Sequence, residues 1–226
     1  MTNHALIYAW TIIAVGATTL ACAALGWQAS NAAALLTCLA LAALASTFKV
    51  KLPRLTGTVS PGFVFLLVAV ATRSWPETVV IAAVSGIVQC LWRPETRPGA
   101  LQVAFNAATM AIAGGVAHGV AQGLTVMGGA GVLVVVLGAA GVALLVSNTL
   151  MVSTILCLLK EAPFYAVWRS VQLWTVPYYM AGGLLAGVWA RAELTASVGI
   201  AILAAASVYV LSVCVRELRS MVCDWA

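Results

Sequence analysis

Apolar runs of membrane-spanning length alternate with short polar gaps along almost the whole chain. Residues 6–26 and 31–48 are two such runs joined by the uncharged turn WQASN, and they predict a helical hairpin. The next gap, KVKLPRLTGTVSPG at 49–62, mixes Lys49, Lys51 and Arg54 with prolines and glycines, the composition of a turn-rich loop. Runs 62–73 and 76–92 both fall short of the roughly 20 residues that a span needs. Pro76 occupies an N1-like position and Glu77 complements the helix dipole behind it, so the pair reads as a tight antiparallel hairpin. A re-entrant arrangement is the alternative, because unusually short apolar segments mark irregular helices around sites.

The fifth run, 101–120, follows the cationic gap RPETRPG and carries Gly115 and Gly119 at a spacing that lets helix backbones approach closely. A glycine-rich, uncharged outer loop is predicted at 121–130. The sixth run, 131–159, exceeds one span, and its polar interruption Ser147-Asn148-Thr149 marks the expected irregular point. Residues 161–174, EAPFYAVWRSVQLW, place Phe164, Trp168 and Val171 on one face and predict an interfacial amphipathic helix, with Trp168 and Trp174 in the headgroup zone. A seventh run begins near Pro177 and contains Gly183 and Gly187 at the same small-residue spacing; an eighth covers 195–215. The fold class is therefore all-α: a polytopic transmembrane bundle of about eight segments, forming a single membrane domain over 1–226.

Charge gives this threading a direction. Lys49, Lys51, Arg54, Arg93, Arg97, Lys160, Arg169, Arg216 and Arg219 all fall in gaps after even-numbered runs, and only Arg73 and Arg191 fall in the others. Short loops rich in Lys and Arg stay in the cytoplasm, which places both termini there. Composition agrees, with 63% apolar and 8% charged residues against a soluble norm of about 45–50% and about 25%. The formal net charge of +5 is split among loops, so it reads as topology and attraction to an anionic bilayer surface, with no nucleic-acid footprint. The six cysteines show no paired or metal-ligand spacing and read as small apolar side chains.

Candidate chemistry is sparse. All six acidic residues lie in loops or at segment ends, so no carboxylate is expected at mid-bilayer, which argues against a proton-coupled pump. His118 has no second ligand at helical spacing and reads as a polar residue near the outer end of its helix. No nucleophile elbow, P-loop or dinucleotide fingerprint is present, so neither enzyme activity, a cofactor nor a metal is expected. Neutral polar residues remain at depth. Asn106, Thr109, Asn148 and Thr149 read first as interhelical glue. The sharper alternative makes them, with Tyr178 and Tyr179, the lining of a small-molecule pocket.

The tracts KVKLPRLTGTVSPGFVF, QCLWRPETRP, QVAFNAATMAIA, SNTLMVSTI and VWRSVQLWTVPYYMAGGLLAG, in this order, resemble the N-terminal multi-span membrane region of some bacterial HD-GYP and GGDEF signalling proteins. The likeness runs from about residue 5 to residue 217 and contains no catalytic signature. It implies an input module whose cytoplasmic output domain makes or breaks cyclic di-GMP; this chain departs from it by stopping at RELRSMVCDWA, with no HD or GGDEF motif. A fainter likeness is to the substrate-binding S-components of energy-coupling-factor transporters. The expected function is a non-catalytic sensory or ligand-binding module read out through its C-terminal helix. The alternatives are vitamin-like solute uptake with transporter ATPase subunits, or a structural subunit whose glycine faces dock other chains, including a second copy of itself.

Overall fold

A computed structural model describes residues 2–28, 31–48, 50–51, 58–92, 94, 97–128 and 133–160, with Pro163, Phe164, Tyr165, Trp168, Tyr179, Gly182, Gly183 and Ala186. The eighth run, and Trp174, Tyr178 and Gly187, lie outside the described residues. Those residues form six helices: α1 (Asn3–Leu25), α2 (Ala32–Thr47), α3 (Gly62–Thr72), α4 (Trp75–Leu91), α5 (Ala100–Gly128) and α6 (Leu133–Lys160). The loop before α3 contains a two-residue antiparallel ladder, β1 (Val50–Lys51) against β2 (Thr58–Val59), with Val50 opposite Val59. Three helices, α1, α5 and α6, are long and apolar enough to cross a membrane.

Local chemistry sets the helix starts. Thr2 Oγ1 accepts the Ala5 N–H at 3.4 Å, and Asn31 Oδ1 accepts the Ala34 N–H at 3.2 Å, each filling an otherwise unmet donor. Pro76 sits in the first turn of α4, where its missing N–H removes nothing.

The chain runs up and down. Thr2 Oγ1 donates to Leu158 O at 3.3 Å and Tyr8 Oη to Met151 O at 3.3 Å, so the start of α1 and the end of α6 share one end of the bundle. At the opposite end, Gly26 lies beside Pro76, which brings the α1 terminus to the α3–α4 turn. Close passages are made by small residues. A Cβ on Gly16 would collide with Ala108, one on Gly114 would lie 2.7 Å from Ala82 Cβ, and one on Gly86 2.7 Å from Asn106 O. Such contacts substitute for the hydrophobic effect where both faces are bathed in lipid. Gly115 packs against Trp75 and Val79, and Gly183 against the α6 backbone at Leu137 and Gly138. Gly119 and Gly123 face open space, so the approach of α4 to α5 is centred one turn earlier than the spacing of Gly115 and Gly119 predicts.

Two sequence expectations are corrected here. The predicted outer loop at 121–130 is helical as far as Gly128. Thr125 Oγ1 donates to Ala121 O at 3.0 Å and Gln122 O at 2.8 Å, so its polar group is satisfied inside the helix. Nor is there a break at Ser147-Asn148-Thr149, because Thr149 Oγ1 bonds back to Leu145 O at 2.7 Å and α6 continues through.

The centre of the bundle is α3. Every residue from Gly62 to Val70 is buried, packed by Ala42 and Ala45 of α2, Ile81 and Ala82 of α4, Met110 and Ala113 of α5, and Leu137 and Leu144 of α6. An all-apolar helix can be walled in on every side. Its 11 residues reach about 16 Å, roughly half a hydrocarbon core of about 30 Å. From the same level at the α3–α4 turn, the 23 residues of α1 run about 34 Å. The N-terminus of α3 therefore stops about halfway down, next to the end of α2, where a Cβ on Gly62 would collide with Ser46 Oγ.

Candidate ligand site at the α3–α4 turn

The turn of the short central hairpin carries Arg73, Ser74 and Glu77. Ser74 precedes α4, and Glu77 reaches back so that its Oε2 accepts the Ser74 N–H at 3.0 Å and the Ser74 hydroxyl at 3.1 Å. This S-x-x-E arrangement holds a negative charge at the positive end of α4. Ser74 itself is exposed, but Glu77 behind it is only 2% exposed. Glu77 stands at a segment end, as read from the sequence, and is buried there.

The next residue, Thr78, is fully enclosed. Its hydroxyl lies 3.0 Å from Ser74 O and 3.3 Å from Ala69 O, so its single proton is directed at backbone carbonyls. Toward His118 Nδ1, 3.3 Å away, Thr78 Oγ1 therefore accepts. That assigns the proton to Nδ1 and leaves Nε2 to accept from Gln122 Nε2 at 3.4 Å. His118 is 4% exposed, so this chain of bonds meets the requirement that buried polar groups be paired.

Arg73 completes the group. It is half-buried, its N–H closes α3 onto Ala69 O at 2.8 Å, and its side-chain Nε is enclosed without a hydrogen-bond partner. Cys38 of α2 is close enough to feel the charges of both Arg73 and Glu77. At this end of the bundle the exposed Gln122 amide and the half-buried Arg73 guanidinium can hydrogen-bond a polar solute, with the buried His118 behind Gln122. Among the described residues, no group of three or more His, Cys, Asp or Glu is placed to hold a metal ion.

Asn106 is half-buried and turns its carbonyl to Thr109 Oγ1 at 3.0 Å and to Gly86. Asn148 is half-buried on α6, and Thr149 is buried. No hydrogen bond joins the two amides among the described residues. Tyr179 meets Phe63 at the start of α3, with tilted rings whose centroids are 4.2 Å apart. Trp168 stacks with Phe164 at 6.5 Å, the i, i+4 relation expected of a shared helical face.

Sequence reasoning missed Arg73, Thr78 and Gln122 and read Glu77 and His118 as peripheral. The Ser74–Glu77 capping box was the available signal for the turn; the encounter of Thr78 with His118, 40 residues apart, had none. No protein-family model, curated protein or solved structure matches the chain.

Proposed function

We propose that this protein is a non-catalytic, multi-pass sensory module of the bacterial inner membrane that binds a small polar solute at the α3–α4 turn. The observation that carries this reading is the gathering of polar side chains at one end of the bundle: buried Glu77, Thr78 and His118, half-buried Arg73 and exposed Gln122. Polar groups held at depth among helices are retained mainly where a solute or ion meets the protein. The basic gaps orient that end toward the periplasm and both termini toward the cytoplasm.

The turn caps α3, whose other end meets the α2–α3 loop, so a solute that favours one packing of the hairpin biases the far side of the bundle. Output passes through the C-terminal RELRS segment to a cytoplasmic signalling enzyme. Native mass spectrometry of the full chain in nanodiscs tests the reading directly. A co-purified small molecule carried by wild type and lost from R73Q and H118L is the expected result; identical small-molecule content in all three would refute the site. Pull-down of the native protein tests the output, with transporter ATPase subunits in place of a signalling enzyme converting the reading to solute uptake.

A further inference from the structure

The relay from Thr78 to Gln122 fixes the position of each proton along it. Thr78 Oγ1 carries one proton, and two backbone carbonyls stand ready to take it, Ser74 O at 3.0 Å and Ala69 O at 3.3 Å. Its lone pairs are left to His118 Nδ1 at 3.3 Å, so the imidazole proton sits on that nitrogen. The bare ring Nε2 then needs a donor. Gln122 supplies it by turning its NH2 inward, 3.4 Å from the ring, which directs its carbonyl Oε1 the other way. Thr78 and His118 are buried and Gln122 is exposed, so the relay carries the state of a buried ring to the surface of the bundle.

A proton added to His118 upsets this order at one point. Nδ1–H keeps its bond, because Thr78 accepts in either state. Nε2 becomes an N–H, and two N–H groups cannot pair. The Gln122 amide must turn over about its last side-chain bond, so that Oε1 accepts from Nε2–H and the NH2 points outward. The new bond is charge-assisted and stronger than the one it replaces. Histidine is the side chain whose charge ordinarily changes between about pH 5 and 8. The helices packed on α5 bring Arg73 at the end of α3, Glu77 on α4 and Cys22 on α1 to this half of the bundle, and the outer half of α6 carries no titratable side chain. Both imidazole nitrogens meet neutral partners instead, so among the described residues no ion pair locks the ring in one charge state.

We propose that protonation of His118 inverts the Gln122 amide and thereby switches the outer solute site from offering a carbonyl acceptor to offering N–H donors. The inference rests on the solute reading above and names the regulation of that same site. With the ring neutral, Gln122 Oε1 suits a solute that donates a hydrogen bond. With the ring charged, the outward N–H groups and the added positive charge favour a solute with acceptor oxygens.

The test is nuclear magnetic resonance of the full chain in nanodiscs without added solute. An H4Q background leaves His118 as the only histidine, and isotope labels are placed on its ring nitrogens and on the glutamine side-chain amides. At about pH 8 the ring should show Nδ1 protonated and Nε2 bare. Titration toward about pH 5 should protonate Nε2 and shift the amide signal that Q122L removes, both with one midpoint. H118L should hold that amide signal still over the same range. A ring protonated on Nε2 at the start, a ring that does not titrate, a Gln122 signal that fails to follow it, or one that still moves in H118L would overturn the switch. Should the signals behave as expected while native mass spectrometry finds identical small-molecule content in wild type and the site variants, the solute reading falls and the amide inversion stands.

Discussion

Gly114 and Gly119 differ by little more than one helical turn on α5, yet alanine at the two positions should move stability in opposite directions. At Gly114 the new methyl carbon would sit 2.7 Å from Ala82 Cβ, against a comfortable carbon–carbon separation of about 3.5–4.0 Å. The helices must part by about 1 Å, and a gap of that size forfeits up to about half of each neighbouring contact well. Overpacking of this kind costs about 1–3 kcal/mol. At Gly119 nothing lies within 4 Å of the built Cβ, so G119A only removes the conformational penalty of glycine, worth about 0.5–1 kcal/mol in its favour. Thermal unfolding of the two variants in one detergent or nanodisc should lower the midpoint for G114A and leave it equal or higher for G119A. A G119A variant as damaged as G114A would refute the assignment of the α4–α5 seam to Gly86, Gly114 and Gly115.

Other consequences can be checked in the same preparation. T78V removes the hydroxyl that accepts from His118 and strands a buried N–H, so it should cost about 1–3 kcal/mol, while H118L/T78V, lacking both partners, should recover part of that loss in a double-mutant cycle. E77A should destabilise by about 0.5–2 kcal/mol through loss of the bonds to Ser74, with E77Q intermediate, as read by thermal unfolding. Alkaline phosphatase fused after Trp27 should be active and after Gly99 inactive, with green fluorescent protein giving the reverse; the opposite pattern would invert the bundle.

The sequence exposes the helices well wherever a local rule sets their ends. The short pair is read at 62–73 and 76–92 and found at Gly62–Thr72 and Trp75–Leu91, because Pro61, Gly62 and Pro76 mark the starts through backbone chemistry alone. The end of α5 is misread for the converse reason. Gly123 and Thr125 look like loop residues, but the helix carries the glycine at modest cost and bonds the threonine to its own carbonyls. Residues 147–149 mislead in the same manner. The candidate site is less legible. Hydropathy cannot distinguish a helix bathed in lipid from one walled in by protein, so nothing local announces that α3 is central, that Glu77 is buried or that Thr78 meets His118.

The shortness of α3 bears on how the protein is made. A segment of 11 residues is too brief to be held across the bilayer on its own strength, and much of its wall, α5 and α6, is synthesised later. The hairpin must wait, loosely placed, until the following helices emerge and close around it. Biogenesis is therefore ordered, and a ribosome stalled before residue 133 leaves the central helix without a home.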